Sequence, residues 1–211
     1  MSIKRVFDIV MSLTGILIFL PIFIIISVLI VLDSRGGVFY GQHRVGKNKR
    51  SFILYKFRTM LTGSDKQGLL TVGDNDKRVT RSGRWLRKYK LDELPQLFNI
   101  LKGDMSFVGP RPEVSKYVDL YNERQKKILS VKPGITDWAS IKYMDENEML
   151  ANVPDPEDYY IRYIMPSKAE INLKYVAEHN FWTDIKIIFL TIRNVFFKDR
   201  QLIGKNIFDT K

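Results

Sequence analysis

Two acidic side chains stand together at Leu91-Asp92-Glu93-Leu94-Pro95, directly after a basic run. From Lys77 to Lys90 the chain carries seven Lys/Arg and no acid: Lys77, Arg78, Arg81, Arg84, Arg87, Lys88 and Lys90. Neighbouring positive charge favours the ionised form of a carboxyl and lowers its pKa. An ionised Asp facing a phosphate that Mg2+ and Arg have neutralised can attack phosphorus and form an acyl-phosphate. A second carboxylate beside it suits the hard, oxygen-preferring Mg2+ ion. The plain alternative is structural. Asp92 precedes a helix with Pro95 in its first turn, where proline is accepted, so it also reads as an N-cap. Acidic pairs recur at Asp145-Glu146 and Glu157-Asp158, so a pair alone decides nothing.

A second candidate lies downstream in Gly103-Asp104-Met105-Ser106-Phe107-Val108-Gly109-Pro110-Arg111-Pro112. Gly109 lets backbone approach a ligand closely, and the flanking prolines hold Arg111 in an extended, pre-ordered segment. An Arg held this way suits bidentate phosphate binding. By itself the Gly-Pro-Arg-Pro tract is more often an ordinary turn.

The rest of the composition narrows the chemistry. The chain has 211 residues and a formal net charge of +11, with apolar residues at 45%. That apolar content excludes a disordered polyelectrolyte, and the length supports one main domain with a core. There is no cysteine, which removes disulfides, Cys-zinc sites and thiol nucleophiles. Only His43 and His179 are present, too few for a His-rich metal centre. The positive balance points to a polyanionic partner: nucleic acid, an acidic membrane face, or a phosphorylated small molecule. A second basic run, Arg35 to Arg58, again has seven Lys/Arg and no acid. Beside a membrane anchor such a run also reads as a simple grip on anionic lipid.

Ile9 to Leu32 is such an anchor: 24 residues without a charge. About 20 apolar residues suffice to cross a bilayer core. A cleavable signal peptide fits poorly, because the run is too long and no small-x-small site follows. Pro21 sits mid-run and Lys4, Arg5 and Arg35 flank it. Basic flanks favour the cytoplasmic side, which a simple span would grant to one end only. Two readings stand: a spanning helix with a proline kink, or a re-entrant helix-break-helix hairpin bent at Pro21, entering and leaving through one leaflet.

Beyond it, Val38–Tyr40 and Ser51–Phe57 read as short strands joined by the loop Gly41–Arg50. Helices are expected over Arg81–Tyr89, Leu94–Leu101, Glu113–Ser130, Lys168–His179 and Trp182–Phe197, with prolines in the links. The last carries an apolar stripe of Ile185, Ile188, Phe189, Ile192, Val195 and Phe196. It reads either as core packing or as an interface-lying membrane helix.

Taken together, these residues resemble the bacterial sugar transferases, the monotopic phosphoglycosyl transferases. The resemblance covers most of the chain. It rests on the proline-broken membrane segment, Lys56-Phe57-Arg58-Thr59-Met60, the long block from Leu86 to Glu113, Lys132–Thr136, and Phe181–Ile192. It implies a mainly helical α+β fold: residues 1–34 as a re-entrant anchor, then a catalytic domain over 35–211 with a small β-hairpin and interface-lying amphipathic helices. It further implies transfer of a sugar 1-phosphate from a UDP-sugar to undecaprenyl phosphate, with release of UMP, at the cytoplasmic face of the bacterial inner membrane. Asp92 matches the family nucleophile, which carries a phosphosugar intermediate, and Glu93 the partner acid that helps bind Mg2+. Arg87 and Arg111 match phosphate-binding arginines, Lys56 and Arg58 the basic strand motif, and Asp184 an acid that supports the site. Surface glycans such as capsule, O-antigen or exopolysaccharide are the implied products' destination. The chain also lacks the extra transmembrane helices of longer members, and so resembles a minimal catalytic form.

One position departs from the family pattern: Asp137 stands where many relatives have glycine, and a carboxylate near a phosphate site would be mildly repulsive. Two other function classes compete. A membrane-tethered nucleic-acid binder would show a steep salt dependence, though no nucleic-acid-binding motif is present. A non-catalytic scaffold would release no UMP from any UDP-sugar. The sugar itself is not readable.

Overall fold

The computed structural model describes residues 2–64 and 76–197; the last part of the expected 35–211 domain lies outside them. Helix α1, Ile3–Asp33, takes up the whole apolar segment and is capped by the Ser2 hydroxyl, which accepts from the Arg5 amide. It runs through Pro21 without interruption, which corrects the expected helix-break-helix. A proline removes one amide donor and adds a local clash, and its fixed φ is helical, so it perturbs one turn without ending the helix.

Helix α1 has two unlike faces. Asp8, Ser12, Phe23, Ile26 and Ile30 recur at helical spacing and are buried. Opposite them Val10, Leu13, Leu17, Ile24, Val28 and Val31 are exposed. The buried face is fastened at both ends to the same body. At the start, Arg5 donates to the Ile100 and Leu101 carbonyls at 2.6 and 2.9 Å, and Lys4 to the Val108 carbonyl at 2.8 Å. At the end, the Asp33 carboxylate accepts from the amide and hydroxyl of Ser82 at 2.8 and 2.7 Å.

Strands β1 (Phe39–Val45) and β2 (Ser51–Phe57) form an antiparallel hairpin, pairing Phe39 with Phe57 and Val45 with Ser51. Strand β1 is longer than expected, because Gly41–Val45 continues it. The turn is confined to Gly46–Arg50, where Asn48 and Lys49 adopt positive φ of 55° and 61°. Helix α2 (Arg81–Lys88) is capped by Thr80 and packs on the exit of β2 through Gly83. A Cβ at Gly83 would lie 2.2 Å from the Thr59 carbonyl oxygen, so only glycine allows this approach. A 3-10 turn, Leu91–Glu93, leads into α3 (Gln96–Lys102).

Strand β3 (Ser106–Val108) pairs in parallel with β4 (Gly134–Thr136). Between them lie α4 (Ser115–Val118) and a 3-10 segment, Gln125–Ser130. The expected single helix over Glu113–Ser130 is therefore broken. Asn122 and Gln125 exchange backbone–side-chain hydrogen bonds of 2.9 and 3.0 Å, and this local turn outcompetes continued helix. Then come α5 (Trp138–Lys142), α6 (Glu146–Ala151), α7 (Pro156–Tyr159), a π turn at Tyr160–Ile164, α8 (Met165–Glu178) and α9 (Phe181–Phe197). On α9 the expected stripe is divided: Phe189 and Ile192 are exposed, Ile185, Ile188 and Val195 are half-buried, and the Phe196 side chain lies outside the described residues. Ile187, Leu190 and Asn194 are buried, whereas Trp182, Phe189 and Ile192 are exposed.

The main core gathers Tyr117, Val118, Ile128, Leu150, Tyr160, Ile164 and Met165. A second cluster, Phe23, Ile26, Ile30, Phe57 and Leu86, seals α1 against the hairpin and α2. Among the described residues the fold is thus mainly helical with two small two-stranded sheets.

Candidate active site

Asp92 and Glu93 sit in the 3-10 turn between α2 and α3. The chain reverses into it at Lys90, whose φ of 57° and ψ of 19° place a non-glycine residue in the left-handed region. Such conformations cost energy and persist where the surroundings impose them. Asp92 is not an N-cap, contrary to the structural alternative: it lies inside the turn, and Pro95 precedes α3. Its carboxylate is therefore free of capping duty. Asp92 is 6% exposed, and its Oδ1 is buried without a hydrogen-bond partner. The Nε2 of Gln96, four residues on, is also buried and unpartnered.

Glu93 is the reverse. Lys56 Nζ, from β2, lies 3.0 Å from its Oε1, and Arg111 binds both carboxylate oxygens through its two terminal nitrogens. Arg111 also donates to the Ile135 carbonyl at 3.2 Å. Burial opposes ionisation of Glu93, but Arg111 and Lys56 overcome it and hold the carboxyl well below the usual range. For Asp92 the balance tips the other way. Burial pushes its pKa up, the charge of Glu93 adds to this, and the attraction of Lys56 and Arg87 does not compensate. The expected lowering at Asp92 is thus corrected: the basic residues spend their field on Glu93, and desolvation governs Asp92. Burial also pulls Lys56 and Arg87 down, while Glu93 raises Arg111.

The segment carrying Arg111 is fixed at every residue. Gly109 donates to the Thr136 carbonyl and the Gly134 amide to the Pro110 carbonyl, both at 3.1 Å. These bonds need glycine at both places, since a Cβ on Gly134 would come within 2.1 Å of the Gly109 nitrogen. Arg44 donates to the Pro112 carbonyl at 2.9 Å, and Tyr160 gives its hydroxyl proton to Glu113 at 2.6 Å. The expected pre-ordering of Arg111 is thus achieved mainly by β4 and by buried side chains.

Asp92, Glu93, Lys56, Arg87 and Arg111 therefore form one group, with Arg87 anchored on the Thr59 hydroxyl at 2.9 Å. Two sequence candidates are engaged elsewhere. Arg58 is buried and caps the end of α1, donating to the carbonyls of Ser34, Arg35 and Gly37 at 2.8, 2.7 and 2.6 Å. Asp184 bonds Lys4 at 2.5 Å and Tyr175 at 2.7 Å, which ties α9 to the start of α1. Asn99 is a residue that sequence reasoning missed. It is fully buried on α3 and bridges to β2, accepting from the Tyr55 amide at 3.0 Å and donating to the Ile53 carbonyl at 2.7 Å. An amide inside the apolar run Leu97–Leu101 was the available signal.

Among the described residues no three His, Asp or Glu side chains converge as a protein-only metal cage. The unpartnered Asp92 oxygen beside the Glu93 carboxylate suits Mg2+, which binds through one or two carboxylates and completes its shell with water and substrate phosphate.

The chain belongs to the bacterial sugar transferase family, whose profile matches residues 1–198. It is 39% identical over 196 residues to a UDP-N-acetylgalactosamine-undecaprenyl-phosphate N-acetylgalactosaminephosphotransferase of Aeromonas hydrophila, covering 92% of this chain and 43% of that protein. It is 38% identical over 212 residues to an undecaprenyl-phosphate glucose phosphotransferase of Komagataeibacter xylinus, covering 97% and 37%. It is also 38% identical over 196 residues to the uncharacterized sugar transferase EpsL of Bacillus subtilis, covering 92% and 88%. The chain thus spans about two fifths of the length of the first two.

Proposed function

We propose that this protein transfers a sugar 1-phosphate from a UDP-sugar to undecaprenyl phosphate. The observation that carries the reading is the buried Asp92 oxygen without a partner, next to a Glu93 whose two oxygens are both held by Arg111 and Lys56. An unpaired buried acceptor costs about 1–3 kcal/mol. A fold that retains one beside three cations keeps it for a ligand or a reaction.

Asp92, once ionised, attacks the sugar-bearing phosphorus of the donor. A carboxyl oxygen–phosphorus bond forms, the bond to the bridging oxygen breaks, and UMP departs with the electron pair. A phosphate oxygen of undecaprenyl phosphate then attacks the same phosphorus. Polyprenyl diphosphate-sugar leaves and the Asp92 carboxylate is restored. Arg111, Lys56 and Arg87 supply the positive field in which the donor diphosphate lies, and this field also offsets the charge gathering on the departing phosphate. Glu93 keeps Arg111 and Lys56 in place. Asp92 and Glu93 would hold Mg2+, which supplies neutralisation of the diphosphate when bound.

The anchor fits a monotopic protein at the cytoplasmic face of the inner membrane. Both ends of α1 bond to one charged body, which a membrane-crossing helix could not do without drawing that body into lipid. Its outer face is apolar apart from Thr14 and the terminal Asp33, and exposed Trp85 on α2, Tyr89 just after it, and Trp182, Phe189 and Ile192 on α9 add amphipathic anchors. A placement of the whole helix on one side of the bilayer lets the lipid tail stay in the bilayer while its phosphate meets a water-borne UDP-sugar at the headgroup level. Capsule and exopolysaccharide assembly are the pathways this product would serve.

The deciding experiment supplies membranes or detergent-solubilised protein with a panel of UDP-sugars, undecaprenyl phosphate and Mg2+, and measures UMP. Without acceptor, mass spectrometry should find a phosphosugar on the peptide containing Asp92. No UMP from any donor overturns the reading; UMP without an adduct overturns its covalent step.

A further inference from the structure

Asp137 is fully buried, and its two carboxylate oxygens do two different jobs. Oδ1 accepts from the Ser140 amide at 2.6 Å and caps α5. Oδ2 accepts from the backbone amide of Arg111 at 3.0 Å. Arg111 in turn grips Glu93 with its guanidinium. A carboxylate on a one-carbon stem is the natural side chain of this reach that offers two acceptor oxygens and no donor. Asparagine would face one of the two amides with its own NH2, and serine could serve only one.

We infer that Asp137 is a positioning residue, which locks the Arg111 backbone to the start of α5 and so fixes where the Arg111 guanidinium meets the donor phosphates. This rests on the transferase reading for the identity of those phosphates, while the link itself is independent of it. It also reverses the sequence expectation. Asp137 does not stand opposed to a phosphate; its charge is consumed by two amides, and it acts through Arg111. Thr136 Oγ1, which lies 2.6 Å from Thr191 Oγ1 of α9, braces the residue before it.

Two variants separate the two jobs. Asp137→Ser keeps a good helix cap and loses the bond to Arg111. Asp137→Asn keeps size and loses one acceptor, and serves if the serine variant fails to fold. The first readout is amide hydrogen exchange at Arg111 in the full chain. It should accelerate by about tenfold or more in Asp137→Ser, as expected when one buried hydrogen bond is removed, and in Asp137→Asn at whichever of Arg111 and Ser140 faces the new NH2. Unchanged exchange overturns the link, whether or not the protein turns over a sugar nucleotide.

The second readout is steady-state UMP release. Arg111 touches the donor before and during reaction, so its misplacement should raise KM for the UDP-sugar about tenfold and leave kcat within about threefold. Mere loss of folded protein would lower apparent kcat and leave KM untouched, and that outcome overturns the positioning role. In an Arg111→Gln background the Asp137 variant should add less than about twofold, because both act through one guanidinium. Wild-type protein that releases no UMP counts against the transferase reading alone, since the exchange experiment still decides the link.

Discussion

Two buried acidic pairs lie at opposite ends of this molecule's chemistry. Asp8 and Asp184 stand near the start of α1, and each carboxylate is held by fixed hydrogen-bond donors, Asp8 through Oδ1 and Asp184 through both oxygens. Asp8 takes bonds from the Ser106 hydroxyl and the Phe107 amide at 3.0 and 3.2 Å, and Asp184 from Lys4 and Tyr175. Asp92 and Glu93 stand between α2 and α3, and there one carboxylate has both oxygens ion-paired while its neighbour keeps a bare oxygen. Both pairs are buried beside cations. Burial and charge therefore do not separate the two pairs; a fully buried oxygen without a partner does, and of these four side chains Asp92 is the one that keeps it. In the first pair the field is absorbed by fixed partners, and in the second part of it is left over for something that arrives.

The strongest way to break this comparison is to remove the unspent oxygen's charge. Asp92→Asn should lower UMP release by at least about a thousandfold, the scale of losing a covalent nucleophile. It should not lower the melting temperature, because it removes a charge that burial disfavours. An asparagine variant that retains substantial turnover would place the nucleophile elsewhere.

Next in size is Glu93→Gln. Arg111 and Lys56 would each lose a charged partner in a largely desolvated place, at a cost of about 2–3 kcal/mol after allowing for their partial exposure. Melting temperature and activity should fall together, which distinguishes Glu93 from Asp92. A stable Glu93→Gln protein would show that the salt-bridge cluster is not what holds this turn.

The Asp184→Asn variant tests the other pair. Tyr175 can still donate to the amide oxygen, so the loss is confined to the Lys4 charge, about 1–2 kcal/mol at a site where Lys4 is partly exposed. The melting temperature should drop, with turnover per folded molecule changed by less than about tenfold. A larger loss of turnover at unchanged stability would move Asp184 into the reaction.

The same contrast explains what was legible in the sequence. Residue types and spacing placed α2, β2, α9 and the acidic pair, because those follow from periodicity and from turn residues with fixed backbone preferences. The grouping of Lys56, Glu93 and Arg111 came from resemblance, since three elements separated by up to 55 positions meet only through tertiary packing. Arg58 shows the limit: a guanidinium in a basic run reads as an anion site, yet its donors close the end of α1. Asp137 shows it again, because its two amide partners come from distant and local backbone at once. Whether a charge is spent or unspent depends on partners that no local window contains.

The smallest expected effect concerns pH, and its sign follows from the opposite fates of the two neighbours. Asp92 is raised from 3.8 by burial first and by Glu93 second. In the proposed mechanism its ionised form attacks phosphorus, so the acid limb of UMP release by the free enzyme should lie above the ordinary aspartate value. A group with a raised folded pKa costs the folded state stability once it ionises. That cost is absent below 3.8, grows as pH climbs to the folded pKa, and is complete above it. The melting-temperature advantage of Asp92→Asn over wild type should accordingly be widest near neutral pH and close as pH falls toward 3.8. Glu93 runs the other way. Its depressed pKa contributes stability that is full above 4.5, fades progressively below it and is gone only below its much lower folded value. The wild-type minus Glu93→Gln difference should therefore survive into acid where the Asp92 difference has already vanished. If both differences close over the same pH range, the two carboxylates share one environment, and the distinction between spent and unspent acceptors fails.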